Sequence, residues 1–199
     1  MNRIFMLNNE VIKNFFMGHL FMKSRFFFVV LLFLVCGVYV KAQKVAVKTN
    51  ALAWLTASPN IEVECVLGRH FSLDLGVAGN PVKAKKLQTT YVHVQPEVRY
   101  WLNRPMVSHY FGLTGFVNNF SMLFKETRHK GDAFAAGITY GYAWAIGKHW
   151  NIEANVGAGV VRYRQFKYDK NQQRPVEPNE IKTVLAPVKL GISFVYIIR

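Results

Sequence analysis

The sequence predicts an all-β fold: an eight-stranded antiparallel up-and-down transmembrane β-barrel with short periplasmic turns and longer basic outer loops. Three observations carry this expectation. First, residues 92–101 alternate strictly. Val92, Val94, Pro96, Val98 and Tyr100 share one parity, and His93, Gln95, Glu97 and Arg99 share the other. That is the period-2 signature of a strand with one apolar and one polar face. Second, the segment 133–146 sets Phe134, Ala136, Ile138, Tyr140, Tyr142, Trp144 and Ile146 against Ala135, Gly137, Thr139, Gly141 and Ala143. A soluble barrel would show Lys, Glu and Thr on its outer face, whereas here the face without aromatics is tiny. The interior of an eight-stranded barrel is only just wide enough for side chains. The small face therefore points in, and the large apolar face is left for lipid. Third, the connections alternate between short and long, as in outer-membrane barrels.

The N-terminal segment is read separately. Lys23-Ser24-Arg25 is basic, residues 26–35 form an unbroken apolar run, and Val40 and Ala42 occupy the −3 and −1 positions before Gln43. Residues 1–42 thus read as a cleaved secretory signal peptide. Met22 is a candidate translation start, since residues 1–21 add nothing a signal needs. The competing readings are weaker. The apolar run is short for an anchor of ~20 residues. Lipoprotein processing at Cys36 would follow Val35, which is not the small residue such sites favour. Residues 43–199 then form a single outer-membrane β-barrel domain.

The whole chain carries 25 Lys and Arg against 11 Asp and Glu. Residues 43–199 hold 20 of the former and 10 of the latter, a net charge of +10. Only Cys65 lies in this part, so no intramolecular disulfide is expected. An exported domain without disulfides needs another source of stability. A closed, hydrogen-bonded sheet supplies one.

Strands are expected at 45–55, 60–67, 71–80, 91–102, 109–123, 133–146, 150–166 and 183–198, with no helical period after the signal. Short turns fall at Gly68-Arg69-His70, Asn103-Arg104-Pro105 and Gly147-Lys148-His149, and longer links at 81–90, 125–132 and 167–182. The link around 56–59 is short and breaks the pattern. The stretches Gly68-Arg69-His70-Phe71 and Gly147-Lys148-His149-Trp150 open similar segments, an internal repeat suited to duplicated hairpins. In the last strand Leu190, Ile192, Phe194, Tyr196 and Ile198 oppose Lys189, Gly191 and Ser193. Parity in the fifth strand is ambiguous, because Tyr110 and Phe116 oppose Phe111 and Leu113. Pro96 and Pro187 each remove a donor from a strand with two neighbours, and bulges there would resolve the conflict.

Extending the parity assigns a lumenal polar network: Lys48, Asn50, Glu62, Glu64, Asp74, Glu97, Arg99, Glu153 and Lys189, with His93, Gln95 and Asn155 on the same face. Both charge signs occur on neighbouring strands, and buried charges survive only when paired. The lumen is therefore expected to be plugged rather than open. Phe71, Tyr100, Trp101, Phe111, Trp144, Trp150 and Tyr196 lie beside the short turns and are assigned to an interfacial aromatic girdle.

Lys48-Thr49-Asn50, Ser58-Pro59-Asn60 leading into Glu62, Gly68-Arg69-His70-Phe71-Ser72-Leu73-Asp74 and Gln95-Pro96-Glu97-Val98-Arg99-Tyr100-Trp101 together resemble a Bacteroidetes outer-membrane β-barrel family catalogued as a domain of unknown function, DUF3575. The likeness runs through essentially all of residues 43–199. It implies an exported β-barrel, in some relatives encoded near fimbrial or surface-assembly proteins, and carries over no catalytic residue. One departure is the end of the chain, Tyr196-Ile197-Ile198-Arg199, where barrels commonly place an aromatic used in assembly.

No cofactor or metal site is expected: the histidines lack ligand spacing and Cys65 is alone. Ser108 with His109, or Ser72 with His70, would be the residues of a lipid A-modifying hydrolase barrel. Both pairs sit at short turns, which argues against catalysis. A soluble periplasmic lipocalin-like binder is the other alternative. The basic residues Lys83, Lys85, Lys86, Lys125, Arg128, Lys130, Lys167, Lys170 and Arg174, with Arg162 and Arg164, are expected at the outer rim. They are the candidate lipopolysaccharide contacts, since Lys and Arg clusters bind anionic head groups. Nucleic acid is not an expected partner of an exported chain. The expected function is non-enzymatic, a structural or surface-interaction role in fimbrial or envelope assembly at the outer membrane.

Overall fold

In the computed structural model, residues 44–80, 87–124, 127–169 and 180–198 are described. They form eight strands and one helical turn: β1 (Val45–Asn50), α1 (Ala51–Leu55), β2 (Asn60–Val66), β3 (Phe71–Asn80), β4 (Leu87–Trp101), β5 (Ser108–Phe124), β6 (Thr127–Ala145), β7 (Trp150–Asp169) and β8 (Glu180–Ile198). Every strand is antiparallel to its chain neighbour, and β8 returns to pair with β1, so the sheet closes into a ring. The residues assigned to the signal peptide lie outside the described residues.

Alternating side chains divide the ring into two faces. On β8, Leu190, Ile192, Phe194, Tyr196 and Ile198 point out, while Lys189, Gly191, Ser193, Val195 and Ile197 are buried. On β6 the outward row includes Phe134, Ile138, Tyr140 and Trp144, with Ile138 71% exposed. Tyr110 resolves the ambiguity of β5, because it is fully buried while Phe111 and Leu113 are exposed. Room for Tyr110 comes from its cross-strand partner Gly141, where a Cβ would overlap the phenol ring.

Several expectations are corrected. The first strand stops at Asn50 rather than running to residue 55. Asn50 Oδ1 accepts the Leu52 N–H at 3.0 Å and caps α1, and Ala51-Leu52-Ala53 are good helix formers behind an N-cap residue. The long links are shorter than expected, because β4 to β8 continue pairing beyond their apolar stretches. Arg128 and Lys130 belong to β6 and Lys167 to β7. A ladder needs backbone donors and acceptors, which polar residues supply as well as apolar ones. Trp101 is not part of an outer girdle: it is fully buried inside the ring. The β7–β8 register shifts by one residue at Gly157/Ala158, opposite Pro187–Lys189, so Pro187 sits beside a bulge. At Pro96 the register with β5 is unbroken on either side, and Thr114 Oγ1 donates to the Pro96 carbonyl at 3.0 Å.

The repeated turns share one construction. His70 Nδ1 lies 2.9 Å from the Trp101 carbonyl, and the Trp101 N–H donates to the His70 carbonyl at 2.7 Å. His149 Nδ1 lies 3.0 Å from the Ile197 carbonyl, and the Ile197 N–H donates to the His149 carbonyl at 2.7 Å. Each histidine thereby ties a turn to the strand beyond it.

Candidate functional site

The interior is layered. At the short-turn rim it is apolar. Met106 folds inward from the link between β4 and β5 with φ 67° and packs with Ala46, Val195 and Ile197. The Asn151 side-chain amide donates to the Met106 carbonyl and holds this turn under the ring. Beside it Trp101, Tyr110 and Ala143 form a second apolar cluster.

Above this floor sits an ionic layer. The registers place Glu64 opposite Asp74 and Asp74 opposite Glu97, a row of three carboxylates across β2, β3 and β4. Like charges directly opposite one another repel, so the row needs cations. Arg99, fully buried, supplies the central one. Its Nη2 donates to Asp74 at 2.9 Å and to Glu97 at 2.8 Å, its Nη1 to Glu64 at 3.1 Å and Glu153 at 3.0 Å, and its Nε to Glu97 at 3.0 Å. The guanidinium carbon stands 4.4 Å from the Tyr110 ring centre. Lys48 reaches Glu64 and, at 3.2 Å, Glu153. Lys189 reaches Glu97 at 2.7 Å and both Glu62 and Asp74 at 3.3 Å. Hydroxyls complete the shell: Ser72 donates to Glu64, Thr139 to Glu97, and Tyr110 to Glu153 at 2.8 Å.

Eight of the nine residues assigned to the lumenal network are therefore gathered into one cluster: Lys48, Glu62, Glu64, Asp74, Glu97, Arg99, Glu153 and Lys189. Asn50 stands apart from the ion pairs. It caps α1, and its Nδ2 donates to the Leu190 carbonyl at 3.1 Å. Trp101, Tyr110, Ser72 and Thr139 complete the interior beyond the residues that the sequence assigns to the network. The parity that placed Arg99 inside also places Trp101 inside, and the glycine opposite Tyr110 was the signal for its burial.

Toward the opposite rim the interior opens into a pocket of about 300 Å³, with Asn50, Glu62, Tyr91, His93, Gln95, Asn118 and Lys189 among its lining. Gln95 Nε2 donates to Thr114 Oγ1 at 3.2 Å and to the Val188 carbonyl at 3.1 Å. The serines and histidines proposed for a hydrolase are not paired with one another. Ser72 Oγ binds Glu64 and accepts from Trp101 Nε1 at 2.8 Å, while His70 bonds the Trp101 carbonyl. His109 Nδ1 lies 2.6 Å from the Tyr140 hydroxyl.

Of the candidate lipopolysaccharide contacts, Lys83, Lys85, Lys86, Lys125, Lys170 and Arg174 lie outside the described residues. Lys130, Arg162 and Arg164 are exposed on β6 and β7. No curated protein and no solved structure matches this chain. The family described as a protein of unknown function (DUF3575) matches residues 27–198, and the chain belongs to it.

Proposed function

We propose that this protein is a non-enzymatic, membrane-spanning β-barrel of the outer membrane. Its plugged interior makes it an anchor, and its basic rim is the working surface for envelope or fimbrial assembly. One observation carries the reading: the outward face is a continuous apolar band that gives way to polar residues toward the long-link rim. On β7 the outward residues from Trp150 to Val160 are apolar, and Arg162 and Arg164 follow. On β6 they run from Trp144 to Phe134 and stop at Asp132. On β5 they run from Phe111 to Val117 and stop at Asn119, whose Nδ2 donates to Asp132 at 2.6 Å.

These stretches are about 7–11 residues long, close to the ~9–11 residues that a strand tilted by ~45° needs to cross a hydrocarbon core. The short-turn edge of the band is ringed by exposed Phe71, Tyr100, Phe111, Trp144, Trp150 and Tyr196, aromatic side chains suited to a membrane–water interface. In water such a continuous apolar surface would be an aggregation hazard. The buried ion cluster argues against a conducting pore, because its charges are already committed to one another. Ser72, His70 and His109, each engaged elsewhere, argue against hydrolysis.

With the short turns in the periplasm, the opposite rim faces outward, and its Lys and Arg lie beside the phosphates of lipopolysaccharide. Fractionation of cells expressing the full chain tests the proposal. The protein is expected in the outer-membrane fraction after a high-salt wash, with heat-modifiable gel mobility and no channel conductance in planar bilayers. Recovery from the soluble periplasm would overturn it.

A further inference from the structure

We propose that the pocket at the long-link rim binds a small organic cation, an ammonium- or guanidinium-bearing solute, with Glu62 as its counter-ion. This goes beyond the membrane reading and holds whatever solvent the outer face meets. The first ground is charge. Among the described interior residues, five carboxylates (Glu62, Glu64, Asp74, Glu97 and Glu153) face three cations (Lys48, Arg99 and Lys189). Isolated buried charge is costly, so a surplus of two acids is met either by a proton or by a compensating cation, and a cation that reaches the surplus competes with the proton.

The second ground is where that surplus is reachable. Glu64, Asp74, Glu97 and Glu153 each touch Arg99. Glu62 has no contact with Arg99, and its ion pair is with Lys189 at 3.3 Å, an ammonium that also serves Asp74 and Glu97. Glu62 is the acid of this cluster that lines the pocket.

The third ground is the pocket's hydrogen-bonding capacity. Three of its donor groups are engaged. Asn50 Nδ2 is held by the Leu190 carbonyl, Gln95 Nε2 by Thr114 and Val188, and Lys189 Nζ by three carboxylates. Unused acceptors lie beside them. Asn118 Oδ1 is buried without a partner, and Gln95 Oε1 has only a 3.4 Å contact with His93. Asn155, 6% exposed, also has an unpartnered Oδ1. It lies 2.9 Å from where a Gly191 Cβ would stand, beside Asn50 Nδ2 at 2.8 Å from that point. A ligand that brings several N–H donors and a positive charge answers both deficits, and Tyr91 in the lining offers an aromatic face to it.

The test is titration of the full exported protein, folded in non-ionic detergent, with methylguanidinium, followed by the side-chain amide resonances of Gln95 and Asn118. Saturable shifts are expected. Tetramethylammonium, which has the charge without N–H donors, is expected to bind roughly tenfold more weakly, the worth of one charge-assisted hydrogen bond. Glucose, which has donors without charge, is expected not to saturate. Glu62→Gln keeps a partner for Lys189 and is expected to abolish the response. Should that variant fail to fold, Asn118→Ala, outside the ion cluster, is expected to weaken binding several-fold and decides the matter. Equal binding of glucose or tetramethylammonium, no saturable response to methylguanidinium, or a response unchanged in these variants would overturn the proposal without touching the membrane reading.

Discussion

Asp74 of β3 and Glu97 of β4 are directly opposite each other across the strand pair, both buried, with Arg99 Nη2 donating to the two at 2.9 and 2.8 Å. The pair is held by one planar guanidinium and the Lys189 ammonium, with Lys48 3.6 Å from Asp74 on the other side. Removing one partner of a buried ionic group is far worse than never having built it. Arg99→Ala is therefore expected to destabilise by about 3–5 kcal/mol, read as a lower urea midpoint of the detergent-folded protein. Arg99→Lys should recover little, since an ammonium lacks the fork that reaches four carboxylates. Adding Asp74→Asn to Arg99→Ala should cost less than the two single changes together. Strict additivity would show that the cluster does not act as a unit.

Val98 lies between these charges in sequence and points the other way, 46% exposed on the outer face. If that face meets lipid, Val98→Arg costs about 2–4 kcal/mol near the midplane and less near an interface. If it meets water, the change should fall within about 0.5 kcal/mol. Cysteines at 97, 98 and 99 give a second readout. A lipid-soluble probe is expected to label position 98 and spare the other two, and the reverse pattern would turn the molecule inside out.

Gly141 makes room for Tyr110, and Gly147 faces open space. Gly141→Ala drives a methyl into the phenol ring that carries Arg99 and packs on Trp101, at ring centres 4.6 Å apart. It is expected to cost about 1–3 kcal/mol and to change the near-ultraviolet signal of Trp101. Gly147→Ala is the control, with an expected effect within about 0.5 kcal/mol. Equal stability of the two variants would mean that Tyr110 relaxes freely.

Replacing Lys83, Lys85 and Lys86, which the sequence assigns to a long link, by Gln tests the proposed lipopolysaccharide contact. The variant is expected to fold normally and to lose salt-sensitive binding to lipopolysaccharide micelles, at roughly 1 kcal/mol for each charge. Unchanged binding would assign these lysines to solubility alone.

Alternation was the legible part of this sequence, because a residue's face in a paired strand follows from parity alone. It put Arg99, Glu97 and Asp74 on one side without any knowledge of their partners. Trp101 has the aromatic character of a girdle residue, but it sits two residues after Arg99 on the same face, and its parity decides. The polar ends of β4, β6, β7 and β8 read as loops because exposed strand residues and loop residues share a composition. Only pairing such as Asp132 with Arg164 across β6 and β7 tells them apart. The end of β1 is hard to read for another reason: Asn50 fits a strand by periodicity and a helix cap by chemistry, and here its side chain decides. The pocket was not visible at all, since it depends on which donors are already engaged.

The junction between β1 and β8 is bonded like every other: Val45 pairs with Ile198, and the register runs without interruption to Asn50 and Ser193. A ring of this kind has no intrinsic first strand. Joining residues 45 and 198 by a short linker and opening the chain at the turn around residue 147 would rotate the order of synthesis while leaving the same neighbours in contact. Circular permutation of this sort is tolerated where chain ends are close and the new opening is exposed. The ion cluster draws on six different strands, so its assembly would report directly whether closure of the ring depends on the order in which the strands emerge.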